Sequence, residues 1–215
     1  MTVRYEKFLP EVVPYVHDVA EIVAINAIRN ACIEFCEKSL YWIYTPDPIT
    51  AEIDVSEYDL EASLPADTAV SRVLDGWFDN LPMMASNEDE LKRIFPMDWR
   101  SMQGRPQFYT LQQPCTLIIV PRPFALAGDG IKLILALRPT RDSLGICDDI
   151  YERWLEVISF GARARLYDTP NQPYHDANEA MKFRRMFTAG IAEAKADRNR
   201  GLGRNVPRVR PPRLV

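Results

Sequence analysis

The chain has 215 residues, 47% hydrophobic and 26% charged, enough for one substantial domain or two small ones of an ordinary globular protein. No apolar run approaches the ~20 residues that cross a bilayer, and MTVRYEKFLPEV lacks the charged-then-apolar order of a signal peptide, so no membrane association and assembly in a cytoplasm are expected. The net charge of −4 hides an asymmetry: from Lys195 to Val215 seven basic residues face one acid, Asp197, so this end carries +6 and the remainder −10.

Residues 1–17 read as an extended arm. Pro10 and Pro14 lack amide hydrogens and push the residue before them out of the helical region, which argues against helix in LPEVVP. Asp18 with Glu21 three residues on reads as a helix start. The helix that follows carries Ile22, Ile25, Ile28 or Arg29, Cys32, Phe35 or Cys36, and Ser39 on one face. Ala20, Ala24, Ala27 and Ala31 line another, small enough for a second helix, from this chain or a neighbouring copy, to come close.

From Tyr44 to Arg138, prolines at 46, 48, 65, 82, 96, 106, 114, 121 and 123 interrupt every candidate helix, while ITAEIDV, YDLEA, AVSRVL and TLIIV are rich in β-branched and alternating residues. The clearest strand is 131–137, with Ile131, Leu133, Leu135 and Leu137 on one face. Gly128-Asp129-Gly130 reads as a turn pairing strands 115–121 and 131–138 as a hairpin, and Asp75-Gly76 as another turn. A short helix from Asn87 to Ile94, capped by Ser86 or Asn87, interrupts the sheet.

Two helices are expected after it. Cys147, Ile150, Tyr151, Trp154, Ile158 and Ala162 recur at helical spacing, with Arg153, Glu156 and Arg163 mostly on other faces. Asp168, Pro170, Asn171 and Pro173 break the pattern. Asp176 with Glu179 then opens a second helix whose stripe is Ala180, Phe183, Phe187, Ile191 and Ala194. The fold expected is α+β: a three-helix bundle of the first helix and the two C-terminal ones (18–43 and 146–198), an inserted antiparallel sandwich- or barrel-like β domain (44–139), and an extended basic tail (199–215). The tail alternates arginines with Gly201, Gly203, Pro207, Pro211 and Pro212 and has too few core-forming residues to order itself without a partner.

Motifs for chemistry are missing. The sequence has no phosphate loop, dinucleotide fingerprint, nucleophile elbow or His-Glu-x-x-His. Cys32, Cys36, Cys115 and Cys147 form no metal-ligand spacing, and His17 and His175 lie far apart. Asp148 and Asp149 fall in the first turns of a helix, where the dipole favours negative charge. Asp54, Glu57 and Asp59 read as solvated. Trp42, Trp77 and Trp99 with Phe108 and Tyr109 are not interleaved with a basic stripe, so packing is preferred over base stacking. No catalytic, cofactor or metal site is expected.

The order of motifs resembles a known family. A strand ends in Arg138-Pro139; a helix carries Trp154 and Gly161-Ala162-Arg163-Ala164-Arg165-Leu166; a corner holds Pro173-Tyr174; and a last helix holds Ala180 and Phe187. Upstream stand Leu9-Pro10-Glu11-Val12-Val13-Pro14-Tyr15-Val16, the Ala-rich helix with Cys32 and Phe35, Gly104-Arg105-Pro106 before Tyr109, and Leu117-Ile118-Ile119-Val120-Pro121-Arg122-Pro123. Together these resemble the head-to-tail adaptor proteins of tailed bacteriophages, the tail-tubular-protein-A-like neck proteins. The resemblance implies a structural virion protein of the neck rather than an enzyme. It implies a homo-oligomeric ring, commonly twelve-fold, docked under the portal protein, joined to a tail or nozzle protein, and lining the channel for genomic DNA. It also implies that the C-terminal end reaches the portal, which makes Arg198, Arg200, Arg204, Arg208, Arg210, Arg213, Leu214 and Val215 the docking candidates. Two other readings stand beside it: a nucleic-acid-binding protein using the arginine tail, which a body of −10 argues against, and a hydrolase using Asp or Glu.

Overall fold

A computed structural model describes residues 2–95, 98–112 and 115–201 and shows a mixed α+β protein with a curled β sheet. In chain order the elements are β1 (Thr2–Arg4), 3-10 helices at Tyr5–Glu11 and Val13–Tyr15, α1 (Glu21–Ser39), β2 (Ile43–Tyr44), β3 (Ile49–Ala51), β4 (Glu57–Asp59), a 3-10 turn at Glu61–Ser63, β5 (Thr68–Phe78) and β6 (Leu81–Ala85). There follow α2 (Glu88–Ile94), β7 (Gln103–Gly104), β8 (Phe108–Gln112), β9 (Thr116–Val120), β10 (Arg122–Pro123), β11 (Ala127–Pro139), β12 (Gly145–Cys147), α3 (Asp148–Tyr167) and α4 (Ala177–Arg200). The chain divides into two compact units, Met1–Tyr41 with Gly145–Val215, and Trp42–Leu144.

In the first unit α1, α3 and α4 each pack on the other two. The expected stripes of α3 and α4 are the buried ones: Ile150, Trp154, Ile158 and Ala162 on α3, and Ala180, Phe183, Phe187, Ile191 and Ala194 on α4. The axes approach closely because glycines face large side chains reciprocally. A Cβ on Gly161 would sit 2.8 Å from the Phe187 ring, and one on Gly190 would sit 2.5 Å from Val157. Asp176 caps α4, accepting from the backbone N–H groups of Asn178 and Glu179. On α1 the alanine face, not Ile22, goes inward: Ala24, Ala27 and Ala31 are buried with Ile28, Cys32, Phe35 and Cys36, while Ile22 is 70% exposed. Asp18 is not the cap. It sits at φ 61, and the helix begins at Glu21 after an uncapped Ala20.

Residues 2–17 depart from the extended arm expected. Most of the segment is 3-10 helix, with Pro10 inside, because burial of Tyr5, Phe8, Val12 and Val16 compensates for the amide that Pro10 cannot offer. Its start is a strand after all, since β1 pairs antiparallel with β12, Val3 opposite Ile146. Helix α3 is kinked at Trp154 (φ −123°, ψ 15°), whose ring packs on Tyr41 and Phe35. Helix α4 runs through Arg200, two residues beyond the expected end of the bundle; Gly201, at φ 66°, ends it.

In the second unit the strand order is β2-β11-β5-β6-β8-β9-β4, with β3 also on β11. The expected 115–121/131–138 hairpin does not form. Strand β9 pairs with β8 and β4, whereas β11 pairs with β5, β2 and β3. The reason is that β9 is buried on both faces: Leu117 and Ile119 enter the main core, and Ile118 and Val120 pack with Leu91, Trp99 and Phe108 on the α2 side. The Gly128-Asp129-Gly130 signal marks an irregularity inside β11, with Asp129 at φ 53°, rather than a turn. The tight turn of this region is Asp79-Asn80, both at positive φ, joining β5 to β6; Asp75-Gly76 lies within β5. The short helix is capped by Asn87, which accepts from the Glu90 N–H at 2.8 Å. Only residues 52–56 separate β3 from β4, which pair with strands far apart in the order, so the sheet must curl to meet both.

Candidate interaction surfaces

Three side-chain assemblies shape the surfaces. The first is the clasp that holds residues 2–17 onto the helices. Arg163, which helical spacing alone turns outward, is 5% exposed between Ala162 and Ala164. Its Nε donates to the Glu11 carbonyl at 2.9 Å and an Nη donates to the same oxygen. Its guanidinium lies 3.6 Å from the Tyr15 ring centroid and 5.4 Å from that of Phe183. Burial pulls its pKa below the usual guanidinium value, opposed by Tyr15 and Glu11. One turn on, the Tyr167 hydroxyl donates to the Tyr15 carbonyl. A planar five-donor cation fits this place because it bonds a carbonyl with two N–H groups while stacking on rings.

The second is a three-helix junction on Glu34 of α1. Its carboxylate accepts from Arg165 of α3, from Arg184 of α4 at 3.1 Å and from Lys38 at 2.6 Å. Burial pushes this carboxyl up, and the three cations outweigh it and hold it below the ordinary carboxylate value. Nearby, Cys32 and Cys36 are buried free thiols whose pKa values burial pushes up, which leaves them neutral and unreactive.

The third lies in the second unit, where β7 and β10 pair in parallel, Arg122 opposite Gln103. Asp54, at φ 63°, donates its N–H to the Pro123 carbonyl at 2.9 Å. Its carboxylate accepts from Gln103 Nε2 at 3.1 Å and from Arg122, bonds that hold its pKa below the usual range. These contacts fix the loop Phe124-Ala125-Leu126, whose two large side chains are about two-thirds exposed, beside a groove of about 420 Å³.

Among the described residues no group of three or more His, Cys, Asp and Glu is placed to hold a metal, and no helix is long and apolar enough to cross a membrane. The SU10 adaptor protein family matches residues 4–211. The chain belongs to this phage head-to-tail adaptor family. No curated protein matches its sequence. The family match runs through both units of the adaptor and includes the clasped N-terminal segment from Arg4 onward.

Of the residues singled out for docking, Arg198 and Arg200 stand in the last turn of the adaptor's α4, where cations favour the helix dipole. Arg198 bonds Asn199. Arg204, Arg208, Arg210, Arg213, Leu214 and Val215 lie outside the described residues. Asp148 and Asp149 occupy the first turn of α3, and Asp149 pairs with Arg153 at 3.3 Å. His17 and His175 are exposed and belong to none of the three assemblies. Sequence reasoning missed Arg163, Glu34 and the Phe124 loop. The small neighbours Ala162 and Ala164 signal that a large side chain at 163 has room inward, and two large apolar residues between Pro123 and Gly128 signal an exposed apolar loop.

Proposed function

We propose that this adaptor is a structural virion protein of the neck that docks under the portal as a ring, commonly twelve-fold in such proteins, joins the capsid vertex to the tail or nozzle protein, and lines the channel through which genomic DNA is retained and ejected. The observation that carries this reading is the family match over residues 4–211. Charge supports it: a body of −10 repeated around one axis gives a conduit along which DNA slides without sticking, while the basic end is free to meet protein. In this reading the three helices act as one bundle that carries the C-terminal segment, and residues 198–215 are the portal-docking element, their arginines each able to make a bidentate bond to a carboxylate or to grip backbone carbonyls. Weak contacts repeated around a ring add to a firm one. The test is co-sedimentation with purified portal, read alongside negative-stain images: the full chain should co-sediment as rings on portal, and the chain ending at 201 should stay folded and soluble but remain in the supernatant. Equal co-sedimentation of both would remove the docking role of the tail, and a full chain that ignores portal would overturn the reading as a whole.

A further inference from the structure

One end of the second unit is left apolar. Ile53, Met102, Phe124 and Leu126 are 58, 38, 68 and 66% exposed. They share that end because Asp54 N–H bonds the Pro123 carbonyl at 2.9 Å and Arg122 N–H bonds the Met102 carbonyl at 2.8 Å. Beside them runs the groove of about 420 Å³, floored by Phe78, Gly104, Pro123 and Ala127. Exposed apolar surface gathered in one place, rather than scattered, marks an interaction site. Its surroundings are acidic: Glu52, Asp54, Asp79 and Asp129 lie in or beside the segments that form it. Of the cations beside it, Arg122 is already engaged by Asp54 at 3.5 Å and Lys132 donates to Asn80 at 2.7 Å, while Arg105 lines the groove.

The stretch of this chain with complementary chemistry is 202–215, LGRNVPRVRPPRLV. It carries Arg204, Arg208, Arg210 and Arg213 with no acid, interleaved with Leu202, Val206, Val209, Leu214 and Val215. Starting from the end of α4, its 14 residues can span up to roughly 46–50 Å at 3.3–3.6 Å per residue, enough to reach another subunit. We infer that residues 202–215 dock in the acid-ringed apolar groove of a neighbouring copy before the portal takes them. The apolar side chains fill the groove beside Phe124 and Leu126, and the arginines meet the surrounding carboxylates. A basic arm from one copy seated in an acidic receptor of the next makes a head-to-tail contact, the kind from which a ring closes. The inference rests on the tail being a binding element and gives it a first station on the adaptor itself, from which the portal must displace it.

The test uses the full chain without portal. Phe124→p-benzoylphenylalanine places a photo-cross-linker in the groove, and an equal mixture of isotopically light and heavy protein distinguishes chains by mass spectrometry. Cross-links from position 124 to peptides within 202–215, mixed between light and heavy chains, are expected. Their yield should fall at least five-fold in 0.5 M NaCl and with Glu52→Lys, a variant whose circular dichroism should be unchanged because the Glu52 side chain is exposed. Cross-links to any other segment, or only within single chains, would overturn the inference. Failure here is separable from failure of portal docking. If the truncated chain loses portal but position 124 never reaches the tail, docking stands and the parking site does not; if position 124 reaches the tail but the truncated chain keeps portal, the parking site stands and docking does not.

Discussion

Arg163 joins sequence-distant parts of the adaptor through a single side chain. Replacing it with Met keeps the bulk but leaves the Glu11 carbonyl without its charged donor and removes the cation stacked on Tyr15. The Glu11 carboxylate, itself half exposed, adds little. Arg163→Met should therefore cost about 2–3 kcal/mol in denaturant unfolding, and limited proteolysis should cut first within residues 2–17. Glu34 makes a prediction in pH. Because its folded pKa is held below the ordinary 4.5, the stability it contributes is complete above that value and is lost as pH falls through the folded pKa. Glu34→Gln should lower stability at pH 7 and flatten the acid-side decline, which unfolding midpoints measured from pH 7 down to 3 will show. An unaltered decline would mean that other carboxylates dominate it. Arg163 also shows what a periodicity argument can miss. It judges a residue by polarity, whereas a guanidinium is accepted inside when a carbonyl and aromatic faces are already waiting there. That information sits 152 residues away along the chain.

Among elements, the contact between α3 and α4 is set by two glycines. In an exposed helix interior, Gly→Ala gains about 1 kcal/mol of helix propensity. At Gly161 the new Cβ meets the ring of fully buried Phe187 at 2.8 Å, and at Gly190 it meets the stiff, β-branched Val157 at 2.5 Å. Overpacking of this kind costs about 1–3 kcal/mol, so it wins. Gly161→Ala and Gly190→Ala should each lower Tm by several degrees in thermal melts, while Gly128→Ala, with nothing within 4 Å, should leave it nearly unchanged. The helical stripes of α3 and α4 and the Asn87 and Asp176 caps were readable locally, because 3.6-residue spacing and capping chemistry act over a few residues. Sheet pairing was not. The alternation in β11 fixes which face is buried, but β9 carries Leu117, Ile118, Ile119 and Val120 without a break, and a strand buried on both sides has no periodicity to tell its partners. The same limit made Gly128-Asp129-Gly130 look like a hairpin turn, since an irregularity within a strand and a turn use the same residues.

For the whole molecule, the balance of charge predicts behaviour with DNA. A body of −10 repels phosphate, so any retardation of DNA should come from the basic end. In a gel-shift titration the full chain should bind duplex weakly at low salt, and the chain ending at 201, which lacks four arginines, should not. If all four meet phosphates, the logarithm of affinity should fall against log salt with a slope of about −3 to −4. Retardation by the truncated chain equal to that of the full one would place the basic contact surface on the folded units instead.

The unit that holds both ends of the chain has a consequence for how the protein is made. As the ribosome delivers it, Met1–Tyr41, bearing Tyr5, Phe8, Ile28 and Phe35, emerges well before β12, α3 and α4, which cover these side chains and lie beyond Leu144. About 100 residues must be synthesised in between, roughly 5–20 s at about 5–20 residues per second. During that interval Trp42–Leu144 can complete its own core, while the apolar N-terminal segment waits uncovered. The nascent adaptor thus finishes folding in the reverse of the order in which it begins, and a chaperone that binds short apolar segments would find its substrate in residues 5–36.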